Sequence, residues 1–350
     1  MSTGPFGLVD EDFWRAPYAT KDAVLDRLSA EEFRGVVIDA PERIPLGAAR
    51  SFPLVGVHRA TSSEARGERF DERAVVVAVR LDDDRVFADL LATPRVEDDA
   101  DREGGAPADD DDDDDDAVFA TPFCADLCER LGLPLRRSTV LTTVLLGPRR
   151  SNRVRTSIEH DPGSWVDPEA ERLREEAAAA TWPAPVAPPP GDPLPSYRRR
   201  VECPPLSTGA GVGLRALQRR VALGPEAALV VHGSFRVPVA NRHLVRPKPD
   251  DPTWDPGDPA ARAIVPVTLV AVGASPEAPG PFVLRLEVPC HEAPAGAPPT
   301  ATGYFSLDLL TGPLRHRTPQ RYALHAFVGE LQAEPLELEL VAPAARRRSP

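Results

Sequence analysis

Lysine is almost missing from this chain of 350 residues: of 41 Lys and Arg residues, only Lys21 and Lys248 are lysine. With 41 prolines alongside, the imbalance reads as the coding bias of a GC-rich, bacterial type of genome rather than as arginine selected for phosphate recognition. Nucleic acid is therefore not expected as a partner. No apolar run approaches the roughly 18 residues that a membrane-spanning helix requires, so no membrane association is expected. The opening residues Met1–Asp10 also lack the basic and apolar regions of a signal peptide. The expectation is a cytoplasmic protein, with leaderless export as the alternative. Cysteine is scarce too. Cys124, Cys128, Cys203 and Cys290 are too few in a chain this long for the disulfide framework of a small secreted domain. Nor is there a His-x-His or His-x-x-x-His pair among the seven histidines, and no motif names a reaction.

What is abundant is local. The formal charge is −13, yet Glu97–Asp116 carries thirteen acids against the single Arg102, so the rest of the chain is close to neutral. Eight consecutive aspartates, Asp109 to Asp116, supply oxygen ligands of the kind that hard cations take, and Asp109, Asp110, Asp111 and Asp112 are candidates for Ca²⁺. The run lacks the glycine turn and the fixed ligand spacing of a dedicated calcium loop, and self-repulsion favours a solvated insert. No other cofactor is expected.

The chain repeats itself. At a shift of 177 residues, Leu46-Gly47 falls on Leu223-Gly224, Phe52 on Leu229, Leu54 on Val231, Gly56 on Gly233 and Arg59 on Arg236. At a shift of 182, Phe123-x-x-Asp126-Leu127 falls on Phe305-x-x-Asp308-Leu309, Val140–Leu146 on Tyr322–Val328, and Val154-x-Thr-x-Ile158 on Leu336-x-Leu-x-Leu340. Between these blocks, Val75–Val79 resembles Thr268–Val272 and Val86–Leu91 resembles Val283–Val288. Each unit is a series of short apolar runs bounded by Gly, Pro and Asp, which is the signal of β-strands. Without long helices between them, antiparallel sandwiches are favoured over a parallel α/β sheet.

The expected fold is thus all-β: two tandem antiparallel β-sandwich domains from an internal duplication, with minor helices. The first spans 1–162, with a short N-terminal helix over Asp22–Leu28 and the acidic insert 97–116. A helix starting at Asp167-Pro168-Glu169 and a proline-rich spacer fill 163–214. The second sandwich spans 215–343, ahead of a basic tail at 344–350. Tyr322-x-Leu-x-Ala-Phe-x-Gly329 resembles the penultimate strand of immunoglobulin-like and fibronectin type III sandwiches, an analogy of outline that implies no activity.

Other candidate ligands are two. Cys124 and Cys128 would share one face if Phe123–Leu131 were helical, yet the second copy has Ser306 and Leu310 at those places, as packing positions do. Cys290-His291-Glu292 puts three reactive types in succession at the end of a strand, where neighbours face opposite ways. Gly209-x-Gly211-x-Gly213 lacks the spacing of a dinucleotide loop and reads as a flexible lead into the second unit. The functional expectation is a non-enzymatic module for binding or assembling proteins. Two alternatives are an enzyme or accessory domain with its site in the cleft between sandwiches, and a metal-binding adhesin or carrier using the aspartates.

Overall fold

The structure is a computed structural model, and it describes residues 33–46, 51–61, 63–65, 69–91, 117–160, 169, 172, 196–206, 209–239, 244–247, 263–274, 281–292, 300–311, 314 and 318–343. The expected N-terminal helix, acidic insert, proline-rich spacer and basic tail lie outside these residues, as does the linker helix apart from Glu169 and Arg172.

In the first half, β1 (Gly35–Asp39), β3 (Pro53–Thr61) and β6 (Val118–Asp126) form one antiparallel sheet. The facing sheet runs in the order β2 (Arg43–Leu46), β9 (Val154–His160), β7 (Ser138–Leu146), β4 (Val75–Arg80), β5 (Arg85–Leu90), with the short β8 (Arg149–Arg150) on β7. Two short helices, α1 (Phe70–Arg73) and α2 (Leu127–Leu131), complete this half. Leu54 and Phe123 from one sheet meet Val76, Val144 and Ile158 from the other in a buried core, which makes the pair a sandwich.

The second half contains β10 (Gly211–Ala216), β11 (Arg220–Ala222), β12 (Val230–Pro238), β13 (Arg246–Pro247), β14 (Ala263–Gly273), β15 (Phe282–Glu292), β16 (Thr300–Asp308), β17 (Arg321–Val328), β18 (Leu331–Gln332) and β19 (Leu336–Val341). Its path is β10-β12-β16-β15-β14-β17-β19-β11, the same order as the first half with the two sheets joined. The join is the pairing of Cys290, His291 and Glu292 with Gly303, Thr302 and Ala301. Phe235 and Phe305 at one end of this path and Leu269, Leu324 and Leu338 at the other pack into one core.

Registers recur along with the order. Pro53 pairs with Asp126 as Val230 pairs with Asp308, and Thr139 pairs with Ser157 as Arg321 pairs with Glu339. Even the parallel pair β2/β9, with Arg43 opposite Ser157, recurs as β11/β19, with Arg220 opposite Glu339. The same buried devices hold both copies. Asp126 Oδ1 accepts from the backbone N–H of Phe52 and of Cys128, each at 2.9 Å; Asp308 Oδ1 accepts from Leu229 at 2.9 Å and Leu310 at 3.0 Å. Gly147 and Gly329 turn the matching hairpins at φ of 57° and 53°, a left-handed conformation that costs glycine little.

Three expectations need correction. β6 runs to Asp126 because Phe123–Asp126 pairs with Pro53–Gly56, so only Leu127–Leu131 is helical and Cys124 and Cys128 do not share a helix face. Gly211–Ala216 is a strand of the second sheet rather than a flexible lead, so that unit begins before 215. Strand pairing also matches Phe87 with Phe282, not Val86 with Val283, since Ala78 faces Phe87 and Ala271 faces Phe282.

The continuous apolar runs of β4 and β14 have a specific cause: both of their faces are covered. Val76 and Ala78 enter the first core and Leu269 and Ala271 the second. Val75, Val77, Val79 and Leu145 point the other way and pack against Val270, Val272 and Phe327. This joins the halves through equivalent faces. Around it, His325 Nε2–H donates to the Gly147 carbonyl at 2.9 Å, Arg150 reaches Glu334 at 2.9 Å, and Arg153 donates to the Glu330 carbonyl. Burying each apolar side chain stabilises by about 1.5–3 kcal/mol, whereas an exposed ion pair such as Arg150–Glu334 adds about 0–1 kcal/mol. The valine face dominates the joint.

Candidate anion-binding cleft

On the second unit, side chains alternate along β10, β12 and β16, and those facing away from the core are mainly polar. Arg215 comes from β10, His232, Ser234 and Arg236 from β12, and Tyr304 and Ser306 from β16. The segment 196–206 crosses this face. It is tied down at one end by the Ser196–Ser306 bridge and further along by Ser234, whose hydroxyl donates to the Pro204 carbonyl at 2.9 Å. Pro204 rests on Gly213, where even a Cβ would approach its ring to 3.0 Å. Glycine at that place therefore lets the segment lie close to the sheet.

Between segment and sheet lies a cleft of about 700 Å³ lined by Arg199, Arg200, Arg215, Arg236 and Tyr304, with Cys203 among its walls. Arg199, Arg200 and Arg215 are exposed. None of these three is paired with a carboxylate among the described residues. The Arg199 guanidinium sits 5.6 Å from the Tyr304 ring centroid, a cation–π contact that orients it without using its hydrogen-bond donors. Burial holds His232 below its ordinary range; Glu202 opposes this, and the charges of Arg200 and Arg215 add to it. The imidazole Nδ1 lies 2.8 Å from Ser306 Oγ, and both residues are buried.

The three-arginine group around Asp83 behaves differently. Asp83 takes Arg80 in a two-pronged pair at 2.9 and 2.6 Å and also meets Arg136 at 3.0 Å and Arg85 at 3.3 Å. Burial would raise the Asp83 carboxyl, but these guanidiniums outweigh it and hold the carboxyl below its usual range. Each of these guanidiniums has Asp83 as a carboxylate partner. The cleft, with Glu202 as the acid near it, has a surplus of positive charge in a concave site, which is where an anion gains most.

Comparing the halves isolates the cleft. The first sheet presents Asp39, Val55, Val57, Pro122 and Cys124 at the positions of Arg215, His232, Ser234, Tyr304 and Ser306. Of the basic side chains on the two strands, Arg59 alone has a counterpart, in Arg236. At the places of His232 and Ser234 the first unit has the buried Val55 and Val57, so the fold does not itself require polar side chains there.

The residues singled out as metal ligands are not brought together. Asp109, Asp110, Asp111 and Asp112 lie outside the described residues. Cys124 stands on β6 opposite Val55, and Cys128 is on α2, where burial and the neighbouring Asp126 carboxylate push its thiol up, away from the thiolate that a soft metal binds. Cys290 is buried in the second core, while His291, the next residue along β15, is half-exposed. No group of three or more His, Cys, Asp or Glu side chains placed to hold a metal occurs among the described residues. All four cysteines are free thiols. The junction between the units, the expected place for an enzyme's cleft, is filled by valines. No helix among the described residues is long and apolar enough to cross a membrane.

No family model matches the chain, and no curated protein matches it. Among solved structures the chain is similar to one described as "Biofilm associated protein - BSP domain", with 7% identity and a TM-score of 0.16, over 88% of this chain and 59% of that one. The chain thus spans less than two thirds of that structure's length, and a likeness at this score carries no weight for fold or function.

Proposed function

We propose that this chain is a non-enzymatic module that binds an acidic segment of a protein partner in the arginine cleft of its second unit. The observation that carries the reading is four guanidinium groups around one cleft, the three exposed ones without a carboxylate partner among the described residues, on a face where the first unit has a basic counterpart only to Arg236. Arginine suits this role because its planar fork of donors meets carboxylates two at a time. An extended acidic segment suits this cleft, since it lies between the irregular segment 196–206 and the polar face of a sheet.

In the same reading, the two units are duplicated immunoglobulin-like sandwiches. Their shared order, the parallel pairing of the second strand with the last, and the matched aspartates support descent from one ancestral unit. The valine joint holds the first unit as a fixed support rather than a swinging arm. A reducing cytoplasm is the compartment that four free thiols favour.

The test is binding of a fluorescent Glu-rich peptide to the full chain, followed by anisotropy at low and high salt. The double variant Arg200→Ser/Arg215→Ser removes two exposed charges and is expected to weaken binding by at least about tenfold, or about 1.4 kcal/mol. Raised salt weakens the wild type in the same direction. Unchanged affinity in the variant, or no binding by the wild type, overturns the reading.

A further inference from the structure

We infer that the acidic segment entering the cleft is the run Asp109–Asp116 of a second copy of this chain, so that the molecule assembles on itself. The inference rests on the cleft being an acidic-peptide site, as proposed above. Its own ground is an asymmetry between two otherwise matched halves.

Strand order, register, corner aspartates and hairpin glycines all repeat, but two features do not. The first half carries eight consecutive aspartates in the connection between β5 and β6, where the second half has a short connection from β15 to β16, Glu292 to Thr300. The second half carries Arg199, Arg200, Arg215 and Arg236 around one cleft, where the matching first-half strands have Asp39 at the place of Arg215, the buried Val55 and Val57 at those of His232 and Ser234, and only Arg59, at the place of Arg236, as a shared arginine. Each half thus holds one member of a charge-complementary pair, and neither holds both.

A ligand group on one unit and its receptor on the other make a head-to-tail contact between copies, which grows into rings or open chains rather than closing as a two-fold dimer. Because the run and the arginines sit on separate units of a rigid pair, removing either should stop growth without touching the joint. Long-range attraction between such charges speeds encounter and is strongly salt-dependent.

The experiment is sedimentation velocity on the full chain over a range of concentrations, at low and high salt. Three proteins are compared: wild type, a variant with Asp109–Asp116 replaced by Asn, and Arg200→Ser/Arg215→Ser. Circular dichroism and thermal unfolding check that all are folded. The wild type is expected to associate with rising concentration at low salt and to weaken at least about tenfold at high salt. Each variant alone should stay monomeric. Mixed in equal amounts they should form a dimer and stop there, since only one cleft and one run remain between them.

A wild type that stays monomeric at concentrations where the free Glu-rich peptide fills the cleft overturns this inference and leaves the peptide site standing. A wild-type cleft that takes the peptide only once the aspartates are replaced also overturns it, because the run then occupies its own chain's cleft. Association that persists in either variant alone overturns it as well. A cleft that binds neither peptide nor run overturns both readings together.

Discussion

His325 places its Nε2–H 2.9 Å from the carbonyl oxygen of Gly147, so a buried histidine of the second unit holds the hairpin turn of the first. Burial pushes its pKa down to about 4, with the Gly147 bond pulling the other way and Arg150 adding to the drop. The ring is therefore neutral when folded at pH 7, and its ordinary value near 6.5 applies once it is unfolded.

The pH dependence follows from that difference. Above about pH 6.5 neither state binds a proton here and the histidine leaves stability unchanged. Between about 6.5 and 4 the unfolded chain takes up a proton that the folded one refuses, so stability falls with pH, by about 3 kcal/mol at most. Urea denaturation at pH 7.5 and 4.5 measures the loss. In His325→Gln the histidine's share of that slope should vanish, and an identical slope in wild type and variant would show that other groups cause it.

Gly233→Ala should destabilise the second unit by about 1–3 kcal/mol or more, because the new methyl group would fall on the Phe305 ring. Gly56→Ala should do the same in the first unit through Phe123. The check is a double-mutant cycle with Phe305→Leu, in which the pair costs less than the sum of the singles. Strict additivity would mean that the ring is not what excludes the methyl group.

Asp308→Ala strips the acceptor from the Leu229 and Leu310 amides at once, and buried donors left unpaired cost about 1–3 kcal/mol each. Asp308→Asn keeps an oxygen in place and should cost much less. Chemical denaturation of both variants, and of the matching Asp126→Ala and Asp126→Asn, reads the difference. Equal losses for Ala and Asn would remove the hydrogen bonds from the account.

Val270→Asp puts an unpaired carboxylate into the valine joint and should part the units while each keeps its own core. Small-angle scattering should show a larger radius of gyration, and unfolding should resolve into two steps. A variant that keeps the wild-type radius and a single transition would show that the joint does not depend on this face.

Much of this architecture was legible in the sequence for a physical reason. Alternation along strands, glycines at Gly56 and Gly233 and aspartates at Asp126 and Asp308 are local demands of the fold, and they occur at matching places in both halves. The errors fell where tertiary pairing overrides a local pattern. Phe123–Asp126 has helix-compatible residues but is held extended by β3, and three glycines beginning at Gly209 end inside a strand because Pro204 needs the space above Gly213.

The cleft was legible only in part. The run Arg198–Arg200 stands out as a short basic stretch able to meet an acidic partner, but Arg215 and Arg236 come from two strands, and in a chain where arginine has almost replaced lysine neither of them stands out. One further signal was available. Along the aligned strands, Val55 and Val57 change to His232 and Ser234 while the core positions stay apolar, and a change confined to the outward face marks a surface with its own chemistry.

The valine joint has a meaning for the single unit. Val77 and Val79 meet Val270 and Val272, their own counterparts, and Leu145 lies in the same cluster as its counterpart Phe327. The contact is therefore self-matching: one sandwich released from the other carries a sticky patch whose best available mate is the same patch on a twin. A sandwich parted from its neighbour would therefore have to hide this face in some other way, since an uncovered strand of valines on a sheet invites association.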